Sequence, residues 1–408
     1  MMEFVDWLEA YDTDEYAWCI KRLAGNDTLA TKSHQAGPYV PKPFAFELFP
    51  SIDDKVTKNP RVVLIAHVDS HPQVEYISAI YYNTRFSEDK KNGRNETRLT
   101  GFGGKASAVL DPESTGAIAI FAFSLTDAGT AEDCHVWVCR HPTEEDLVEE
   151  RFGPVEPGTF MYWTPKKPLD ASLFIAPVPA NCFLAPGDLP PAWLTKFPKG
   201  AEIVERAAAL KPYRSLDVDS RLMKRRVCEY ELFQSLEAAV EFPLIQKGFK
   251  TIDEFVARAN TILQRRKARS GRSLELHSRQ IFIEEGLVED TDFDYQPISE
   301  GGKTPDFLFP SKAAYDDPTF PAANLRLLAC KTTVKDRWRQ VINEANRIEW
   351  KHLLTLQEGV SETQFAEMIE EKVQLVVPKS IISTYPPDVR PHLVTLESFI
   401  ADVRLLGL

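Results

Sequence analysis

The chain has 408 residues, more than a single hydrophobic core usually organises, so two domains are expected before any motif is read. An apolar fraction of 43% and a charged fraction of 26% are ordinary for a globular protein. No stretch is apolar for long enough to cross a bilayer, and the acidic start MMEFVDWLEAYDTDEYAW lacks the basic and apolar regions of a secretory signal, so membrane and secreted classes are set aside and a cytoplasmic location is expected.

The net charge of -12 speaks against a protein that coats nucleic acid indiscriminately. Two runs depart from that acidity: 264–272 holds five basic side chains and no acid, and 90–98 holds four against one acid, so DNA would be confined to chosen faces.

The first 175 residues read as mainly β. Short apolar runs at 62–68, 117–125 and 135–139 are separated by Gly, Asn, Asp and Pro turns, a spacing that suits a small barrel. Between 176 and 200, APVPANCFLAPGDLPPAWLTKFPKG carries six prolines, which resist helix and interior strand, and reads as an inter-domain linker and its landing. Beyond it, 226–248, 251–269 and 271–286 place apolar residues at three- and four-residue intervals, the helical period.

Shorter strands are expected at 304–309, 325–331 and 352–356, with a helix from Asp336 to about Ile348. This order points to a mixed sheet flanked by helices, hence to an α+β multidomain chain divided as 1–175, a linker at 176–200, and 201–408. Cys19, Cys134, Cys139, Cys182, Cys228 and Cys330 contain no C-x-x-C pair, so reduced, mostly buried thiols are expected, without a zinc knuckle or disulfide framework.

The residues that carry chemistry lie in the second half. Asp306 follows Pro305 at the start of one short strand, and Lys331 ends the next. Adjacent strand ends can place a carboxylate and an ammonium beside one scissile phosphate, with Mg²⁺ bound by the carboxylate, the Cys330 carbonyl and waters. Glu344, on the helix expected to leave that strand, can turn back to complete the metal site. Glu275 sits on a helix whose Leu274, His277, Ile281 and Phe282 would face the core, so its carboxylate reaches the buried edge of the same site. Lys331 would orient or deprotonate water and stabilise the transition state with its compact charge.

Alone, Pro-Asp followed later by x-x-Lys is a weak pattern that a surface turn and a solvated lysine explain as well. The following residues sharpen it. Lys335, Asp336, Arg337 and Arg339 can present a donor fork and an acceptor to base edges of a G·C-containing site. The plainer reading is a charged helix start with Asp336 near the N-terminus.

The stretches IKRLAGNDT (20–28), HQAGPYVP (34–41), DPESTGA (111–117), SLELH (273–277), PDFLFPSKAAYDD (305–317), KTTVKDRWRQVINEA (331–345) and LQEGVS (356–361) resemble, in order, the EcoRII-type restriction endonucleases. The resemblance covers nearly the whole chain. It implies a homodimeric type IIE enzyme that cuts both strands of double-stranded DNA at CC(A/T)GG with Mg²⁺, is stimulated by a second copy of the site, and works beside a cognate cytosine methyltransferase. It also implies an N-terminal DNA-binding pseudobarrel of the plant B-three kind, which restrains by autoinhibition a C-terminal α/β restriction-endonuclease-like domain of the PD-(D/E)xK class.

Carried over by position, Asp306, Lys331 and Glu344 match the family's metal-and-water triad, and Glu275 its supporting acid. Lys335, Asp336 and Arg337 match the base readers. His34, Tyr39, Arg94, Glu96 and Arg98 fall on the effector-cleft pattern, with Thr97 where a lysine is expected.

Other candidates are less specific. Arg266, Lys267 and Arg269 abut Glu275 in sequence and, with Arg339 and Tyr315, are expected to touch the DNA backbone. His67 and His71 have the spacing of a helical metal pair but end a strand-like run before Pro72, so they read as turn histidines. Tyr315 with Arg225 or Arg226 would suit a recombinase that forms a phosphotyrosine link; packing between the two strands is the competing reading. GFGG at 101–104 reads as a turn. A DNA-binding repressor that keeps a nuclease fold without activity stays open as the alternative to an endonuclease, and the intact Asp306, Lys331 and Glu344 set favours the endonuclease.

Overall fold

The computed structural model describes residues 2–32, 36–165, 180–335 and 337–406. The chain divides into two compact units. The first is Met1–Ala176 together with Glu358–Gln364 and Ser383–Asp388; the second is Pro177–Gln357, Phe365–Ile382 and Val389–Leu408.

The first unit runs α1 (Phe4–Tyr11), β1 (Tyr16–Arg22), β2 (Tyr39–Val40), α2 (Lys42–Leu48), β3 (Arg61–Val68), β4 (Gln73–Tyr82), α3 (Thr84–Ser87), β5 (Glu96–Thr100), β6 (Ile118–Leu125), β7 (Ala131–Val138), α4 (Pro142–Phe152) and β8 (Phe160–Trp163). The strands form one eight-stranded sheet in the order β2-β5-β4-β3-β7-β6-β1-β8. Each neighbouring pair is antiparallel except β3 and β7, which run parallel.

Side chains alternate across a strand, and at β1, β6 and the end of β7 both faces are covered. Ala17 and Cys19 of β1 join Leu64, Ala66, Val68, Ile77, Phe121 and Phe123 in the enclosed core. Trp18 and Ile20 turn the other way, with Ile118, Ile120 and Trp137, onto Phe4, Trp7 and Leu8 of α1 and Val148 of α4. Burial on both faces is why these strands read as unbroken apolar runs.

The second unit adds α5 (Pro191–Thr195), α6 (Gly200–Leu210), α7 (Val218–Lys247), α8 (Ile252–Glu284), β9 (Asp294–Tyr295), β10 (Phe307–Phe309), α9 (Lys312–Asp316), β11 (Arg326–Lys331), β12 (Lys351–Thr355), α10 (Glu362–Glu370), β13 (Val373–Val376) and α11 (Leu396–Leu405). Its five-stranded sheet has the order β13-β12-β11-β10-β9, parallel from β11 to β13 and antiparallel on the β9 side. This is the mixed sheet expected from the sequence. Leu274, Ile281 and Phe282 of α8 pack with Phe307, Phe309, Leu328 and Leu354, and His277 is fully buried with them.

Three expectations change. α8 is one helix through Gly271, where a break was expected. A ladder of ion pairs to the antiparallel α7 holds it: Glu229 to Arg269 at 2.9 Å, Glu237 to Arg266 at 2.6 Å, and Glu241 to Arg265 at 2.7 Å. That ladder offsets a helix-interior glycine, which costs about 1 kcal/mol against alanine.

The helix expected from Asp336 is instead a single 3₁₀ turn, Arg337–Gln340, followed by turns in which Ala345 takes φ +47°. The proline-rich stretch packs on the second unit from Ala180 onward, where the Glu231 carboxylate accepts from the Ala180 and Cys182 amides at 2.8 and 2.5 Å. Finally, Cys182 and Cys228 form a disulfide, Cα to Cα 5.2 Å, correcting the reading of six thiols. The 46 residues that separate them hid the pairing from a spacing argument. Cys19, Cys134, Cys139 and Cys330 are buried thiols outside the disulfide, as expected. Among the described residues, no helix is long and apolar enough to cross a membrane.

Candidate active site

The site forms where β10 and β11 meet. They pair antiparallel with Phe307 opposite Leu328, which carries Asp306, just before β10, to the end of β11. There the Cys330 amide donates to Asp306 Oδ2 at 2.7 Å, and Lys331 Nζ lies 3.6 Å from the same oxygen. The Cys330 thiol is buried and inert, pushed well up by burial and by the charges of Asp306 and Glu275.

Glu344 arrives from the turn after the 3₁₀ segment, its amide donating to Val341 O at 3.0 Å. Burial first, then the charge of Asp306, pushes its carboxyl up to about 7 against the pull of Lys331, Lys303 and Lys351. Glu275 of α8 is raised for the same two reasons, burial and Asp306. Its Oε2 accepts from Tyr295 Oη at 3.0 Å and Gln296 Nε2 at 2.8 Å. Three carboxylates thus share the region of Lys331. Carboxyls raised by burial and by a neighbouring negative charge would gain from a cation, and an all-oxygen donor set of this kind suits a hard divalent one.

The candidate base readers follow directly. The buried Gln357 side chain accepts from the amides of Val334 and Lys335 at 2.9 and 3.2 Å, fixing the loop after Lys331. Arg337 is exposed, and Asp336 lies outside the described residues. Arg339 is exposed, 2.6 Å from Glu367, with its guanidinium over the Trp338 ring.

The phosphate-contact candidates fare differently. Arg266 and Arg269 face α7 in the ladder described above, so the basic run is largely neutralised within the fold, while Lys267 is exposed. Arg266→Ala is therefore expected to leave the salt dependence of DNA binding unchanged and to lower stability by about 1–3 kcal/mol, read by chemical denaturation. A shallower salt slope would return Arg266 to the DNA.

Tyr315 is 3% exposed and its hydroxyl donates to Glu300, so it pins a loop and offers no phosphate contact. Burial and Glu300 push its phenol up to about 12, which suits neither a nucleophile nor a recombinase. Arg225 is buried against Glu284 at 2.8 Å.

In the first unit, β5 pairs with β2 so that Arg98 stands opposite Tyr39, and with β4 so that Glu96 stands opposite Tyr82. Arg98 Nε lies 3.0 Å from Glu96, and Arg98 Nη1 donates to the carbonyls of Asn26 and Gly37 at 3.1 and 2.9 Å. Arg94 is exposed, its guanidinium over the Tyr82 ring. Tyr39, Arg94, Glu96 and Arg98 therefore share one region of the sheet; His34 lies outside the described residues. Thr97 points the opposite way and its hydroxyl donates to Val40 O.

Residues 12–167 match the family model described as "Restriction endonuclease EcoRII, N-terminal", and residues 233–400 match "EcoRII C terminal". The "Type II restriction enzyme EcoRII" of Escherichia coli is 44% identical over 407 residues, covering 99% of this chain and 98% of that protein. The chain belongs to the EcoRII-type restriction endonucleases.

Two solved structures share less. Ecl18kI, metal-depleted and in complex with uncleaved, modified DNA, is 19% identical over 55% of this chain and 85% of that one, with a TM-score of 0.44. The B3 domain of the UbaLAI restriction endonuclease, with cognate DNA, is 18% identical over 40% of this chain and 98% of that one, with a TM-score of 0.28. Likenesses at that level carry no argument about function.

As an EcoRII-type enzyme the chain is a type II site-specific deoxyribonuclease. Several residues beside these candidates escaped the sequence reading: Gln357, Tyr295, Gln296, Lys303 and Lys351 within the second unit and, separately, Tyr82 and Asp27 within the first. Asp27 accepts from the amides of Ala24 and Tyr39 and lies 2.5 Å from Lys21, joining two of the family stretches. One signal was available. Lys351 is a lone charge opening an apolar strand, and it is buried, with its amine pushed down to about 8 by that burial.

Proposed function

We propose that this restriction endonuclease hydrolyses both strands of double-stranded DNA at CC(A/T)GG-like sites, with Mg²⁺, as a homodimer in the cytoplasm. In this reading a second copy of the site, bound by the N-terminal domain around Tyr39, Arg94, Glu96 and Arg98, stimulates cleavage, and a cytosine methyltransferase protects the host's own sites. The domain roles follow: 1–175 for effector DNA, 201–408 for catalysis. The observation that carries the reading is Lys331 Nζ at 3.6 Å from Asp306 with the raised carboxyls of Glu344 and Glu275 beside them.

Asp306, Glu344 and the Cys330 carbonyl would hold the metal, with Glu275 behind them. Bound there, Mg²⁺ supplies Lewis-acid stabilisation of charge on the phosphate and acidifies a water. Lys331 aligns the attacking water, and its ammonium charge steadies the phosphate oxygens while the water's proton passes to solvent. Asp306, tied to the Cys330 amide, keeps Lys331 in register with the strand end. Lys335, Asp336 and Arg337 would read the bases, with Gln357 holding the amides of Val334 and Lys335.

The test is digestion of plasmids that carry one or several CC(A/T)GG sites, with Mg²⁺ or with EDTA. Double-strand cutting that needs the metal and quickens with several sites is the expected result. Specific binding without cutting would instead favour the repressor reading, and cutting indifferent to a second site would remove the effector role.

A further inference from the structure

Outside the catalytic region, the chemistry-bearing side chains of the first unit converge at the parallel junction of β3 and β7. Their register sets His67 opposite His135 and Ile65 opposite Asp133. The two-residue period of a strand then puts His67, Asp133 and His135 on one face of the sheet. One donor atom from each lies within 4.8 Å of the others, and the two imidazoles are stacked. His67, read from the sequence as a turn histidine, lies within β3, and His71 lies beyond its end.

We propose that His67, Asp133 and His135 form a transition-metal site of the kind filled by Zn²⁺, tying β3 to β7. Three observations carry it. First, His135 is already oriented as a ligand: its Nδ1 lies 2.8 Å from Asp69 Oδ2 and 2.8 Å from Tyr11 Oη, which leaves Nε2 for a metal. A carboxylate behind a histidine in this way fixes the tautomer and raises the basicity of the free nitrogen. Asp69 is itself held by Trp7 Nε1 at 2.7 Å, and the Tyr11 ring stacks on His135 at 4.3 Å.

Second, Asp133 Oδ1 is buried with no hydrogen-bond partner, an acceptor whose need a cation would meet. Third, the donor chemistry differs from that of the catalytic site. Two imidazoles and one carboxylate prefer a borderline ion, whereas Asp306, Glu344 and Glu275 offer only oxygen. Zinc bonds of about 2.0–2.2 Å bring tetrahedral donors to about 3.4 Å apart, so closing the set turns the two stacked imidazoles toward a common point, and water fills the fourth position.

The full-length protein, stripped with EDTA and kept in millimolar Mg²⁺ to satisfy the oxygen site, is titrated with Zn²⁺ by calorimetry and with Co²⁺ by visible absorption. Expected is a single Zn²⁺ per chain, a cobalt spectrum typical of nitrogen ligation, and a higher melting temperature when zinc is present. His67→Gln and His135→Gln should each weaken binding by at least ~10-fold, and Asp69→Asn, which leaves all three donors in place, by ~10–100-fold. His71→Gln should change nothing. Melting in EDTA shows that each variant folds. No zinc binding at millimolar metal, or wild-type affinity in either the His67→Gln or the His135→Gln protein, overturns the site.

Discussion

Replacing Lys331 by alanine is expected to slow double-strand cleavage by roughly 10³-fold while leaving affinity for a CC(A/T)GG duplex within a few-fold of wild type. The asymmetry follows from placement. Lys331 ends β11 with its ammonium 3.6 Å from Asp306, while the loop that would read bases is fixed separately by Gln357. Lys331→Arg should not restore the rate, because a planar guanidinium delivers its charge over a wider fork and holds its proton.

Asp306→Asn keeps an acceptor for the Cys330 amide and removes the charge, so it should lose cleavage as fully as the lysine variant. Wild-type enzyme in EDTA should behave like both. Single-turnover cleavage beside gel-shift binding separates these outcomes. Parallel loss of binding and cutting would move Lys331 from the chemistry to the holding of DNA.

The second large effect concerns stability. Glu229 of α7 is 1% exposed, and its carboxylate accepts from Arg269 Nη2 at 2.9 Å and from Ser273 Oγ at 3.0 Å. Glu229→Ala leaves an uncompensated guanidinium between two helices, which costs about 3–5 kcal/mol. Adding Arg269→Ala should recover part of that loss, because the pair acts as a unit. Chemical denaturation followed by helical circular dichroism measures both variants. A loss below ~1 kcal/mol for Glu229→Ala would mean that the pair behaves like an exposed one.

The same ladder shows where sequence reasoning stopped. Arg265, Arg266 and Arg269 read as a DNA-facing basic run because their partners, Glu229, Glu237 and Glu241, lie on the preceding helix. Their eight- and four-residue steps along α7 were the signal that the two runs face one another. The turns around Glu344 misled in the opposite sense. Trp338, Val341, Ala345 and Ile348 are all buried and all fall at helical intervals. They nevertheless pack through turns, with the buried Lys351 donating to the carbonyls of Ala345, at 2.7 Å, and Ile348. Tertiary contacts overrode the period.

Asp306 and Lys331 were legible because each is fixed by a strand end, and strands announce themselves through short apolar runs. Tyr295 and Gln296, which hold Glu275, come from the end of a two-residue strand and the residue after it, too short a segment to announce anything. The β-rich half was legible for a different reason: at β6 and the end of β7 both faces of its sheet are buried, so those strands stand out as continuous apolar stretches.

The strand order of the first unit also bears on how quickly that unit assembles. β3, β4 and β5 pair with near neighbours in the chain, as do β6 and β7, so each group closes over a short loop. The two groups join only when β3 finds β7, with His67 meeting His135, and β8 must still return to β1, with Cys19 meeting Tyr162. Closing loops of that length before any contact rewards them slows a chain, and rates fall steeply as contacts become less local. Refolding of this unit should therefore lag behind that of the α7 and α8 hairpin, and its exposed strand edges during that delay are where self-association would begin.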